Sequence, residues 1–134
     1  MSAEQERKVL SRYRINEAKE KLNGAKILLD NGCLKDSINR SYYAIFNALR
    51  AVLALEGVDF KRHSQVIGYF NKNYVHKRII DEKYIETISM AFQIRNSCDY
   101  DDFYIVSKQD AEDQLRKASE FIEAIIAYLI ENGV

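Results

Sequence analysis

Four side chains on one predicted helix have the chemistry of a nucleic-acid contact. They follow one another at spacings of three and four residues, and we call them the α2 stripe: Arg40, Tyr43, Asn47 and Arg50. Guanidinium groups bind phosphate oxygens in pairs, and a tyrosine ring offers a stacking surface for a base. The spacing equally suits a structural role, because Asp36 lies one turn before Arg40 and Tyr43 can pack at a helix interface. The stripe therefore predicts either a nucleotide- or RNA-binding face or a structural one.

A second polar segment, Arg95 to Asp102, ends a predicted helix. Arg95 lies four residues before Asp99, so the two are expected to pair near the C-terminus of that helix, where a cation is favourable. The two histidines, His63 and His76, are isolated in the sequence, and each is expected to cap a helix or to face solvent. The cysteines and histidines lack the spacing of metal ligands, so neither a metal nor another cofactor is expected.

The composition is that of a folded protein with no overall attraction for nucleic acid. Of the 134 residues, 47% are hydrophobic, and 20 basic residues balance 20 acidic ones. This balance excludes a general basic field as the basis of RNA or membrane binding, although a local basic patch is still allowed. Two cysteines are too few for a disulfide framework. The charged N-terminus and the absence of a long apolar run predict a cytoplasmic protein that is neither exported nor membrane-spanning.

Helical periodicity and helix stop signals predict the elements that carry these side chains. The chain has no proline, and its glycines fall mostly where helices should end. The first predicted helix begins with a Ser2–Gln5 capping box and ends at Asn31, and the second covers residues 34–56. A short third helix covers residues 64–74. The fourth runs from an Asp81 cap to Cys98, and the fifth begins with Ser107 and Asp110. We expect one all-α domain over residues 1–134. It should be an up-and-down antiparallel bundle of four long helices, with the short one packed across an end or side.

Several segments, in order along the chain, resemble those of a known family. Residues 36–51, DSINRSYYAIFNALRA, resemble the second-helix signature of the HEPN family of small helical bundles, in which serine-arginine-x-tyrosine-tyrosine leads into small and aromatic residues. Asn39 stands where that pattern usually has serine. The expected order continues with residues 63–67, residues 95–102 and an acidic-apolar last helix. The resemblance spans roughly residues 10–130 and is nearest to the stand-alone prokaryotic branch related to the C-terminal domain of sacsin.

The resemblance implies a site and a chemistry. In ribonuclease members of the family, an arginine, the polar residue after it and a histidine four to six residues further on gather at a dimer cleft and cut RNA without metal. Arg95 and Asn96 match the first two positions, whereas Tyr100, Asp101 and Asp102 stand where the histidine would fall. The arginine would stabilise charge on the phosphate, and an acid–base group would move the proton of the 2′-hydroxyl. Tyr100, or a distant His63 brought close by folding, would have to take that second role.

The resemblance also implies partners. Members are often encoded beside a minimal nucleotidyltransferase, and some are toxins that are silenced when this partner adds AMP to a tyrosine near the arginine motif. Tyr100 and Tyr104 are the candidate AMP acceptors here. The first hypothesis is a nucleotide- or RNA-associated accessory protein, expected to be a homodimer, that acts with a nucleotidyltransferase in a toxin–antitoxin-like pair through Arg95, Asn96 and Tyr100. The alternatives are a metal-independent ribonuclease toxin and a non-catalytic protein-interaction module.

Overall fold

The chain forms a bundle of helices without strands. A computed structural model describes all residues from 1 to 134. The helices are α1 (Ala3–Asp30), α2 (Leu34–Glu56), α3 (His63–Phe70), α4 (Tyr84–Tyr100) and α5 (Lys108–Glu131). This architecture confirms the predicted all-α class with four long helices and one short one. No helix combines the length and the apolar character needed to cross a lipid bilayer.

Helices α1 and α2 form a closely packed antiparallel hairpin. Both carry fully buried alanines, which allow the two backbones to approach closely. Two buried serines join the helices: Ser11 Oγ donates to the carbonyl of Ala51 at 2.7 Å, and Ser37 Oγ donates to that of Ala25 at 2.8 Å. Residue numbers fall along α2 as they rise along α1 in these two contacts, so the helices run in opposite directions.

Helix α2 lies at the centre of the bundle, as its broad apolar surface predicts. It contacts α1, α3, α4 and α5. Its largest fully buried side chains are Ile38, Tyr42, Ile45, Leu49 and Leu53. Helix α2 is therefore the element around which the other helices pack.

Helix starts agree with the sequence at two places and differ at a third. The predicted capping boxes are present, since Ser2 Oγ accepts the Gln5 N–H at 3.1 Å and Ser107 Oγ accepts the Asp110 N–H at 3.0 Å. The Asp81 cap was wrong, because α4 begins only at Tyr84. The Asp81 carboxylate instead accepts the N–H two residues on, at 2.9 Å, in the turn before the helix. Such a local turn satisfies aspartate as well as a helix cap does.

The third helix begins at His63 and changes its pitch before it ends. Its α-helical part ends at Phe70, and residues Asn71–Val75 continue as a π-helical turn. Phe70 and Tyr74 are both buried on the core side, with stacked rings whose centroids are 5.3 Å apart. The other end of α3, its N-terminus, lies beside α2 and α4.

Candidate phosphate-binding groove

An open groove of about 420 Å³ lies where α2, α3 and α4 meet. Its lining residues, which define the Arg95 groove, are Tyr43, Arg62, His63, Ser64, Phe92, Arg95 and Asn96. A larger depression of about 670 Å³ lies between α1 and α5. That depression holds leucines, lysines, glutamates and one arginine, but no histidine, cysteine or tyrosine. The smaller groove is therefore the one that combines arginines suited to phosphate with a histidine suited to acid–base chemistry.

Arg95 contacts side chains on both walls of the groove. Its Nη2 donates to Tyr43 Oη at 3.0 Å, and its Nη1 donates to Asn96 Oδ1 at 3.3 Å. Its Nε lies 2.9 Å from Asp99 Oδ2, but the N–H bond is not directed at that oxygen, so the contact is an ion pair rather than a directed hydrogen bond. The guanidinium carbon also lies 5.4 Å from the ring centroid of Tyr42. The Arg95–Asp99 pair expected from their spacing is thus present.

Arg95 keeps donors for a ligand after these contacts. A guanidinium carries five N–H bonds, two of them on each terminal nitrogen. Tyr43 accepts one N–H of Nη2 and Asn96 accepts one N–H of Nη1, so the second N–H of each terminal nitrogen remains free. The Arg95 side chain is 17% exposed, which leaves it accessible from the groove. Two N–H bonds from one guanidinium can bind two oxygens of a phosphate.

His63 lies in the same groove, held by aromatic side chains of α2. Its ring centroid is 4.0 Å from that of Phe46 in a stacked arrangement, and its Nδ1 lies 2.7 Å from Tyr42 Oη. Burial, and the positive charges of Arg95 and Arg50, lower the pKa of His63 below its ordinary value. The imidazole is therefore neutral at neutral pH, and its Nε2 has no protein partner.

A group of charged residues, the Asp59 cluster, holds the link that leads into α3. Asp59 Oδ2 accepts from Arg50 Nη2 at 2.8 Å and from Arg14 Nη2 at 3.2 Å, and Asp59 Oδ1 accepts the Phe60 N–H at 2.9 Å. Arg14 also donates to the main-chain carbonyl of Arg50 at 3.0 Å. Burial opposes ionisation of Asp59, but the bonds from Arg50 and Phe60 and the nearby arginine charges lower its pKa overall. The cluster fixes the link to α1 and α2 just before His63.

The α2 stripe divides among three surroundings. Tyr43 lines the Arg95 groove, and Arg50 belongs to the Asp59 cluster. Arg40 packs against α1, where a Cβ on Gly24 would come 3.0 Å from Arg40 Nη1. Arg40 does not form the ion pair with Asp36 that their spacing allows. Its guanidinium lies against α1 instead, a contact that spacing within α2 does not encode. Asn47 is half-buried on the same helix.

The two tyrosines proposed as AMP acceptors lie outside the groove lining. Tyr100, the last residue of α4, is 79% exposed. Tyr104 packs instead beside Ile38 and Cys98, and burial raises its pKa. The structure therefore brings Arg95 and Asn96 together with His63 rather than with Tyr100.

Some residues of the groove and the cluster were not predicted from the sequence. Tyr42 and Phe46 were expected only as core residues, and they are buried but also hold His63. Arg14 and Asp59 gave no signal, because they are 45 residues apart and no helical spacing connects them. The one sequence signal for this site was the position of His63 at a predicted helix start, where free main-chain N–H groups follow a polar link.

The region that carries the groove also matches a known family. A family model described as the HEPN domain matches residues 11–129. The chain belongs to the HEPN family. All seven residues of the groove of this HEPN domain fall within the matched region.

Relatives of this HEPN domain are bacterial and archaeal. A "UPF0332 protein" of Thermotoga maritima is 32% identical over 120 residues, which cover 90% of this chain and 91% of that protein. The "Putative toxin MJ0605" of Methanocaldococcus jannaschii is 32% identical over 108 residues, covering 81% of this chain and 80% of the relative. The "Putative toxin MJ0142" of the same organism is 28% identical over 120 residues, covering 90% and 82%. The names of the two archaeal relatives support a toxin-like family.

Proposed function

We propose that this HEPN protein is the toxin-like component of a toxin–antitoxin pair and that it binds RNA through phosphate contacts in the Arg95 groove. The observation that carries this proposal is that Arg95 and His63, from different helices, line one groove. A guanidinium with free donors and a half-buried imidazole are suited to an RNA phosphate. The toxin names of archaeal relatives support the functional class.

Three further features of the groove favour a phosphate-bearing ligand. Arg62 adds a second guanidinium at the rim, and it is exposed. No side chain caps the N-terminus of α3, so N–H groups of its first turn stay available and add a partial positive charge. The ring of Phe92 lines the groove and can stack on a base. Arg62 and the helix N-terminus thus supply local positive charge that the neutral chain lacks as a whole, and Phe92 supplies a stacking surface.

The proposed assembly is a homodimer that presents two grooves. A single groove offers only a few phosphate contacts, and a two-fold arrangement doubles them. Light scattering on the purified protein tests this directly. We expect twice the 15.6 kDa mass of one chain, whereas a monomer during RNA binding would contradict the assembly.

RNA binding and RNA integrity can be tested in one experiment. A labelled mixed-sequence single-stranded RNA is incubated in EDTA with the wild-type protein and with Arg95→Gln, Arg62→Gln and Arg116→Gln. Arg116 is the matched control, because it is an exposed arginine of α5 that pairs only with Asp113 and Glu120. We expect a shifted, intact RNA with wild type and Arg116→Gln and a weaker shift with both groove variants. An unshifted RNA with folded wild type would contradict the proposal.

A metal-independent ribonuclease is the second candidate. It is favoured by His63, which lies beside Arg95 and could replace the histidine absent from the arginine motif. In this case His63 Nε2 would take the proton of the 2′-hydroxyl while Arg95 stabilises the phosphate. The same incubation separates the candidates, because RNA fragments that appear with wild type but not with Arg95→Gln would establish cleavage.

The proposed partner is a nucleotidyltransferase that modifies Tyr100. The exposed side chain of Tyr100 supports this choice over Tyr104, which packs against the buried cluster that contains Ile38. Co-expression with a nucleotidyltransferase encoded beside this chain should add one adenylyl mass, and Tyr100→Phe should abolish it. Tyr13→Phe is the control, because Tyr13 is also exposed, at 62%, but lies on α1. Modification that persists in Tyr100→Phe would contradict the assignment.

A further inference from the structure

The hydroxyl of Tyr42 has only one hydrogen-bond partner. Tyr42 is 1% exposed, and its Oη contacts only His63 Nδ1, at 2.7 Å. Either the hydroxyl donates to an unprotonated Nδ1, or a protonated Nδ1 donates to the hydroxyl oxygen. In the second arrangement the buried O–H would itself have no acceptor, which is costly away from water. The first arrangement gives the buried O–H its acceptor.

The surroundings of Tyr42 keep its hydroxyl protonated. Burial raises the pKa of Tyr42 far above its ordinary value, so the hydroxyl carries its proton at all physiological pH values. The neutral imidazole of His63 has one N–H and one bare nitrogen. When Nδ1 is the acceptor, the proton must be on Nε2, the nitrogen without a protein partner.

The other polar groups of the groove also meet a ligand as donors. Arg95 can only donate, so the Asn96 atom that faces it must be the amide oxygen, and the amide NH₂ stays free. Tyr43 Oη accepts from Arg95, which leaves the Tyr43 O–H proton available. Arg62 adds further N–H groups, and Ser64 adds a hydroxyl. The groove thus contains no unprotonated basic nitrogen.

We propose that Tyr42 is a positioning residue that holds His63 in the Nε2–H tautomer, so that the groove receives an RNA phosphate with hydrogen-bond donors and without a general base. This inference rests on the proposed RNA-binding function and deepens it. It distinguishes a phosphate-binding groove from a ribonuclease site, because a base for the 2′-hydroxyl needs a bare nitrogen that faces the ligand.

The charged and titratable groups that act on His63 come from the two helices packed against it. Helix α2 contributes Tyr42, Tyr43 and Arg50, and α4 contributes Arg95. Both arginines also bind carboxylates, Arg50 that of Asp59 and Arg95 that of Asp99. These cations act on the charge of the ring, whereas only the Tyr42 hydroxyl contacts one ring nitrogen directly. The Tyr42→Phe substitution therefore removes the one direct contact to a ring nitrogen and leaves the neighbouring arginines in place.

Nitrogen-15 NMR of the histidine rings in the full chain tests the tautomer. The chain has two histidines, and exposed His76 serves as the internal reference. At a pH where His63 is neutral, we expect its Nδ1 to resonate as a bare nitrogen and its Nε2 as a protonated one. Tyr42→Phe should yield a mixture of both tautomers and raise the His63 titration midpoint, because a donor that favours the neutral ring has been removed. Tyr128→Phe is the control for loss of a tyrosine hydroxyl elsewhere.

The outcomes separate this inference from the proposed function. A protonated Nδ1 in the free wild-type protein, or an unchanged tautomer in folded Tyr42→Phe, would overturn the role of Tyr42. A short oligouridylate is then added to the wild-type sample. Movement of the His63 Nε2 signal supports the phosphate contact, and an unmoved signal would overturn the RNA-binding proposal even when the tautomer is as expected.

Discussion

At the scale of single residues, Arg95 and His63 show which part of a site the sequence can reveal. Arg95 was singled out by its motif, and its pairing with Asp99 followed from helical spacing, because both residues lie on one element. His63 was expected to cap a helix, and the family resemblance made it a candidate for the missing acid–base group only if folding brought it close to Arg95. Its approach to Arg95 depends on how α3 packs against α2 and α4, and no spacing within one helix encodes that contact.

The surroundings of His63 predict how stability depends on pH. Its pKa is lowered in the folded state by burial and by Arg95 and Arg50, so below its ordinary value of 6.5 the unfolded chain binds a proton that the folded chain does not. The His63 contribution to the free energy of unfolding is therefore complete above pH 6.5 and is lost as pH falls below it. One such proton changes this free energy by at most about 1.4 kcal/mol per pH unit.

Urea unfolding of wild type and His63→Gln at about pH 7, 6 and 5 measures this effect. We expect the stability of wild type to decrease more steeply toward low pH than that of His63→Gln. Equal pH dependence in the two proteins would show that His63 is not held in its neutral form.

At the scale of elements, the sequence predicted helix starts where the signal is local and missed those that depend on packing. The capping boxes at Ser2 and Ser107 were found because both partners lie within four residues. The start of α4 was placed too early, because the local turn made by Asp81 uses the same residue type as a cap. The π-helical turn after α3 was not anticipated, because the apolar spacing of this segment, with Phe70 and Tyr74 four residues apart, is that of an ordinary α-helix.

The Asp59 cluster predicts that the α2–α3 link is a stability element that sustains the groove. Asp59→Asn removes the charge that balances Arg14, whose side chain is only 11% exposed, together with Arg50. We expect a loss of about 1 kcal/mol in the free energy of unfolding, because the buried Arg14 loses its carboxylate partner while solvent at the exposed Asp59 screens part of the effect. We also expect weaker RNA binding, because the start of α3 is less well held.

Asp113→Asn is the matched control for this prediction. Asp113 also accepts a hydrogen bond from an arginine, Arg116 at 3.2 Å, but both side chains are exposed on α5. An exposed pair of this kind contributes less than about 1 kcal/mol. Chemical denaturation of both variants gives the comparison. Equal, small losses would mean that the Asp59 cluster is an ordinary surface ion pair.

At the scale of the whole molecule, charge is balanced overall but not at the groove. The fold class and helix order followed from periodicity and stop signals, because these are properties of single segments. The groove combines residues from three helices. Arg95, Asn96 and Tyr43 were candidate site residues from the sequence, and His63 was an alternative acid–base group, but the sequence did not show that they share one groove. Its concentration of donors around Arg95 and His63 is the physical basis of the RNA binding that we propose for a chain without net charge.

The most direct test of this central claim compares the RNA affinities of wild type, Arg95→Gln and Arg116→Gln. Fluorescence anisotropy of a labelled single-stranded RNA measures the affinity at two salt concentrations, and circular dichroism checks that each protein is folded. We expect Arg95→Gln to bind at least about tenfold more weakly and with a shallower salt dependence, because charged hydrogen bonds to phosphate contribute about 1.5–3 kcal/mol. Arg116→Gln should bind like wild type. A folded Arg95→Gln protein that binds RNA as tightly as wild type would contradict the account.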